Sequence, residues 1–187
     1  VSQFKKTTES KSSMMRGMNG ITGGEWDSAT PDGQYFAELR RVSKHQIVWG
    51  ANHYISRMPW DASGWIVWDK DNTGNFADAE LAWTTFDRSV KLYKHTWNGL
   101  VREGPRDVEG LHRIHPTQKP VGLFERILED FSYSGGIIID PFVGSGTTLI
   151  AAERQSRTCY AMEIEPKYVQ VCIDRWEAYT GLKAERV

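Results

Sequence analysis

The run Ile137-Ile-Ile-Asp-Pro-Phe-Val-Gly-Ser-Gly-Thr-Thr-Leu-Ile-Ala-Ala152 constrains this chain more than any other stretch. Three β-branched residues, Ile137 to Ile139, read as the end of a buried parallel strand. Asp140 and Pro141 end it, and Gly144-Ser145-Gly146 permit a tight turn that exposes backbone to a ligand. From Thr147 the pattern turns helical through Leu149, Ile150, Ala151 and Ala152. Strand, glycine turn and helix start predict an α/β domain with a nucleotide-type cofactor site, because unpaired N–H groups converge there. A phosphate loop would need lysine after the second glycine, and Thr147 stands there. A dinucleotide fingerprint would need a third glycine where Leu149 stands. The plain alternative is a glycine turn in an ordinary α/β domain. Against it, Thr158-Cys-Tyr-Ala-Met-Glu163 reads as a second apolar strand ending on an acid about 20 residues downstream, where a ribose diol would be held.

The chain is 187 residues long, 40% hydrophobic and 25% charged, which suits one α/β domain over residues 1–187. No apolar run approaches the roughly 18 residues of a membrane span, and no signal-peptide pattern is present, so the expected location is cytoplasmic. Cys159 and Cys172 lack metal-site spacing and read as buried thiols in a reducing compartment. His112 and His115 have no third ligand nearby, so no metal site is expected. The net charge of −1 is unevenly spread: residues 85–119 carry seven Lys/Arg against four acids, and residues 120–187 seven against ten. A local basic patch suffices for phosphate, although a solvated charged face explains the same pattern.

Residues 1–24 are polar, show no periodicity and read as a mobile loop. Thr30 can cap a helix with Pro31 in its first position, striped by Tyr35, Phe36, Leu39 and Val42. His45 to Ala51 reads as a buried strand, with Asn52-His53-Tyr54 at its end; taken alone, such a pair is more often a turn than a site. Gly64 to Lys70 reads as another strand, and Ala79–Phe86 and Val90–Trp97 continue the α/β pattern. A helix follows Pro120, striped by Phe124, Ile127, Leu128 and Phe131. A last helix opens at Glu165-Pro166 and closes at Gly181.

Three segments together, Asp-Pro-Phe-Val-Gly-Ser-Gly-Thr-Thr (140–148), Met-Glu-Ile-Glu-Pro (162–166) and His-Pro-Thr-Gln-Lys-Pro (115–120), resemble the amino-methylating DNA methyltransferases of the permuted, beta-type motif order. The resemblance implies a Rossmann-like fold with a mixed, mostly parallel sheet. It also implies S-adenosylmethionine as cofactor and double-stranded DNA as partner. The methionine end of the cofactor falls to Asp140, the turn Gly144, Ser145, Gly146 and Thr147, and the Thr117/Lys119 region. Glu163 takes the ribose, and Phe142 packs beside the cofactor. Asn52 and Tyr54 become candidates for the target-base pocket, residues 70–114 a short recognition segment, and residues 115–181 the cofactor half.

The family's catalytic signature is Asp/Asn/Ser-Pro-Pro-aromatic. Its polar groups accept hydrogen bonds from the exocyclic amine and its aromatic ring stacks on the flipped base. No such tetrapeptide occurs in this sequence. In the permuted order it would precede the helix at 31–42, so the expectation is a chain that starts just after it. The expected activity is adenine-N6 methylation of DNA, as in restriction–modification, with two alternatives: cytosine-N4 methylation, or a non-catalytic S-adenosylmethionine- or DNA-binding domain.

Overall fold

A computed structural model describes residues 29–72, 77–98, 101–104 and 114–186. The expected mobile loop at 1–24, His112 and part of the 70–114 segment lie outside them.

Helix α1 (Gly33–Val42) starts two residues later than Thr30 and Pro31 suggested. Asp32 is its cap, its carboxylate accepting the Tyr35 N–H at 2.9 Å. Thr30 serves elsewhere, its carbonyl accepting from the Arg57 guanidinium at 3.0 Å. Strand β1 is only Ile47–Trp49. The Tyr54 hydroxyl reaches back to the Trp49 carbonyl at 2.5 Å, while the chain leaves the sheet through a 3₁₀ turn at Ala51–His53.

Strands β2 (Trp65–Asp69), β3 (Ala79–Thr84) and β4 (Lys91–Lys94) join β1 in the order β1-β3-β2-β4. β3 is antiparallel to both its neighbours, and β2 and β4 are parallel. Strands β5 (Trp97–Asn98) and β6 (Val101–Arg102) form an antiparallel pair. Strands β7 (Ile137–Asp140) and β8 (Thr158–Ala161) run parallel, with Asp140 opposite Ala161. The pairing is therefore mixed as expected, but among the described residues three pairings are antiparallel and two parallel, so it is not mostly parallel. The ladder continues past both strands through Met162 N–H to the Asp140 carbonyl and Val143 N–H to the Met162 carbonyl, at 2.9 and 3.1 Å. That continuation draws Glu163 alongside the glycine turn.

Helix α2 (Val121–Phe131) joins the four-stranded sheet to the β7–β8 side. Its Leu123 and Ile127 pack into a core with Ile66, Trp68, Ala82, Tyr93 and Trp97. On its other side Val121 and Leu128 meet Ile150, Ala151 and Ala152 of α3 (Thr147–Arg154). Phe124 belongs to both groups. Full burial of a leucine or isoleucine stabilises by about 1.5–3 kcal/mol, so this helix is the main tie between the halves. Helix α1 covers the opposite face of the four-stranded sheet with Phe36 against Val48, Ala51 and Trp83. Helix α4 (Pro166–Thr180) opens on Pro166 and ends at Gly181, as the sequence indicates.

The β7–β8 pair is covered on one face, where Ile138 and Cys159 pack under α3. On the other, Ile137 and Tyr160 are 66% and 61% exposed and Ile139 is 41% exposed. Parallel strands are ordinarily buried on both faces. Among the described residues no helix is long and apolar enough to cross a membrane.

Candidate functional site

The tips of β7 and β8 bring together most of the residues singled out from the sequence. Asp140 ends β7 with its carboxylate accepting the Phe142 N–H at 2.9 Å. Burial pushes the Asp140 carboxyl above the ordinary aspartate range; hydrogen bonds from Thr148 and Phe142 and the nearby Lys119 charge only partly offset it. Glu163 spans the turn: one carboxylate oxygen accepts the Gly144 N–H and the other the Glu165 N–H, both at 2.9 Å. Each oxygen keeps a second lone pair, so the carboxylate can still accept from a ligand hydroxyl.

Gly144 and Gly146 have φ of +56° and +86°, which glycine adopts without strain. A Cβ at Gly146 would also stand 3.3 Å from Cys172 of α4. Gly146→Ala is therefore expected to lose about 1–3 kcal/mol of stability through backbone strain and overpacking, read by denaturant unfolding. Ser145 is buried, and its carbonyl accepts from the Arg175 guanidinium. The Thr147 hydroxyl donates to the Lys119 carbonyl at 2.8 Å, tying α3 to the segment that leads into α2. Thr117 is exposed and its N–H bonds to His115 Nδ1 at 3.2 Å. The buried His115 packs against Tyr168 with ring centroids 4.1 Å apart, so it buttresses the turn from below.

Phe142 is 63% exposed and meets the ring of Tyr35 at 5.4 Å. Tyr35 was read from the sequence only as part of an apolar stripe. Here burial, then Tyr54 and Asp140, push its phenol up to about 12, so it remains a donor at neutral pH. A file of rings runs from Phe142 through Tyr35 and Phe36 to Tyr54, with centroids 5.4, 5.1 and 5.7 Å apart. The Tyr54 hydroxyl donates to the Trp49 carbonyl, which leaves its ring and its oxygen lone pairs for a base, while Asn52 is exposed. Glu80 and Lys70 also stand at this end of the molecule. They carried no motif of their own, and their sequence distance from Lys119 gave no signal that they would meet it.

A family model described as DNA methylase matches residues 41–174. The chain is 40% identical over 88 residues to the Type II methyltransferase M2.DpnII of Streptococcus pneumoniae, a match covering 47% of this chain and 32% of that one. It is 42% identical over 64 residues to the Type II methyltransferase M.ScaI of Streptomyces caespitosus, covering 34% and 21%. The matches thus span about a third and a fifth of these relatives. In fold it is similar to the crystal structure of an M1.HpyAVI–SAM complex (TM-score 0.55, 24% identity, 78% of this chain and 83% of that one). It is equally similar to the cytosine-N4-specific PvuII DNA methyltransferase (TM-score 0.55, 16% identity, 77% and 70%). At these identities the likeness is one of fold, and it is the Rossmann-like methyltransferase fold expected from the motifs.

Proposed function

The chain belongs to the DNA methylase family, and on that premise we propose that it serves methyl transfer from S-adenosylmethionine to the N6 amine of adenine in double-stranded DNA. The observation that carries this reading is the pair of carboxylates, Asp140 and Glu163, at the tips of β7 and β8 beside the glycine turn. S-Adenosylmethionine offers an ammonium, a sulfonium and a ribose diol but no phosphate, and an acidic, acceptor-rich site fits those two cations and two hydroxyls. Asp140 is half-buried, and among the described residues no lysine or arginine makes an ion pair with it, so an ammonium would restore its charged form. Glu163 would accept the diol, Phe142 would flank the cofactor, and Lys119 with the Thr117 segment would face its carboxylate. The bound cofactor supplies an electrophilic methyl group. The Type II names of M2.DpnII and M.ScaI support a restriction–modification setting, which we place in the cytoplasm.

Burial gives this site a pH signature. Where Asp140 is protonated in the free protein, binding a cationic ammonium must expel the proton. Affinity is then full above the raised Asp140 pKa and falls as pH drops through it. In the cofactor-free protein the sign is opposite. The buried charge costs stability at neutral pH, and that cost fades as pH falls from the raised folded value towards the ordinary aspartate value. Titration calorimetry with S-adenosylmethionine across this range checks the first expectation, and Asp140→Asn should flatten the profile. A slope that survives the substitution removes Asp140 from the ammonium. Nucleoside analysis of methylated DNA tests the base: N4-methylcytosine would replace adenine and leave the reaction class standing.

A further inference from the structure

Lys70, Glu80 and Lys119 form a row beside the cofactor turn, just before the start of α2. Glu80 lies across from Trp68 in the β2–β3 pair. Its two carboxylate oxygens lie 2.6 Å from Lys70 Nζ and 3.5 Å from Lys119 Nζ. Each ammonium also rests over an indole ring, Lys70 over Trp68 at 5.1 Å and Lys119 over Trp49 at 5.5 Å. The two indoles meet edge to face at 6.4 Å. The side chains of Lys70, Lys119 and Glu80 are only 15%, 19% and 36% exposed. The stems of both lysines are thus laid down on a rigid aromatic wall.

Lys70 and Lys119 share the Glu80 carboxylate, and the other acid near Lys119, Asp140, is pushed by burial towards its neutral form, so the row keeps surplus positive charge in a partly desolvated place. Burial raises the Glu80 carboxyl, and the two lysines more than reverse that, so Glu80 is ionised. A half-buried surplus charge is costly until an anion meets it. The backbone of Lys119 is at the same time bound to Thr147 at the start of α3. The surplus charge is therefore fixed relative to the glycine turn from two sides.

We propose that Glu80 is a positioning residue, holding Lys119 so that the surplus charge of the row meets the carboxylate of an amino-acid ligand moiety, with Lys70 completing the row. The inference rests on the S-adenosylmethionine reading and adds residues from the four-stranded sheet to the cofactor site. A competing role for Glu80, mere neutralisation of the lysines, has the opposite sign: removing its charge would then strengthen carboxylate binding.

The full chain is titrated with S-adenosylhomocysteine, which carries the carboxylate, and with 5′-methylthioadenosine, which lacks the amino-acid end. Glu80→Gln is expected to weaken S-adenosylhomocysteine about three- to tenfold, the cost of ordering one long side chain at binding. It should leave 5′-methylthioadenosine unchanged, and Glu80→Asp should recover part of the loss. Lys119→Met should abolish the preference for the carboxylate-bearing ligand. Unchanged or tighter S-adenosylhomocysteine binding by Glu80→Gln overturns the positioning role. So does an equal loss for both ligands with a lowered melting temperature, which marks a structural role only. Wild-type protein that binds neither ligand overturns the cofactor reading and this inference with it, whereas normal binding insensitive to Glu80 overturns the inference alone.

Discussion

Glu163→Ala is expected to weaken S-adenosylmethionine by roughly 10- to 100-fold and to loosen the turn that forms the site. A hydrogen bond to a charged acceptor contributes about 1.5–3 kcal/mol, which sets the affinity range. The same carboxylate accepts the Gly144 and Glu165 N–H groups at 2.9 Å each, so alanine leaves two backbone donors to water or to nothing. Their loss should add about 1–3 kcal/mol of destabilisation, with the lower end favoured by the partial exposure of Glu163. Calorimetry and thermal unfolding on the same protein separate the two effects. Reduced stability with unchanged affinity would confine Glu163 to bracing the turn. Glu163→Gln sharpens the test, because its one remaining oxygen can serve a single backbone donor. It should therefore fall between wild type and alanine in both measurements.

The elements read correctly from sequence are those whose signals are local. The β7–turn–α3 unit is written in a β-branched run, two glycines and an alanine-rich helix start, and the structure pairs β7 with β8 in parallel as expected, although Ile137 and Ile139 are exposed where a buried strand was expected. α4 likewise begins at Pro166 and ends at Gly181, whose positive φ closes the helix. The misplacements arise where a distant residue decides. Thr30 and Asp32 are both good caps, and Arg57, more than two dozen residues on, takes Thr30 and leaves the helix to Asp32. β1 stops at Trp49 rather than Ala51 because the Tyr54 side chain folds back onto it. The same contact occupies the Tyr54 hydroxyl as a donor and leaves it able only to accept from a base. Glu80 and Lys70 were invisible as site residues because nothing in their own segments marks them. Only the β2–β3 register and the entry into α2 bring them to Lys119.

Methyl transfer by the 187-residue sequence alone is expected to be at least about 100-fold slower than by the same sequence joined to a strand bearing Asp-Pro-Pro-Tyr. The elements of the 115–181 half are present, yet no Asp/Asn/Ser-Pro-Pro-aromatic tetrapeptide occurs in the sequence. Without it nothing of that kind accepts hydrogen bonds from the exocyclic amine, and misplacement of reacting groups costs on the order of 100-fold. The missing ring would also have offset part of the few kcal/mol of unstacking that a flipped base requires. The fold offers an added strand a place. Among the described residues β7 pairs only with β8, so its other edge presents unpaired backbone groups to which a strand can add. A parallel strand there would end next to Asp140 and the Phe142–Tyr35 contact, at the mouth of the cofactor turn. Transfer of labelled methyl from S-adenosylmethionine to mixed-sequence DNA, run on both proteins, measures the difference. Equal and robust turnover would show that other groups orient the amine, with Asn52 and Tyr35 the first to substitute. Inactivity of both, alongside intact cofactor binding, would instead favour the non-catalytic binding domain.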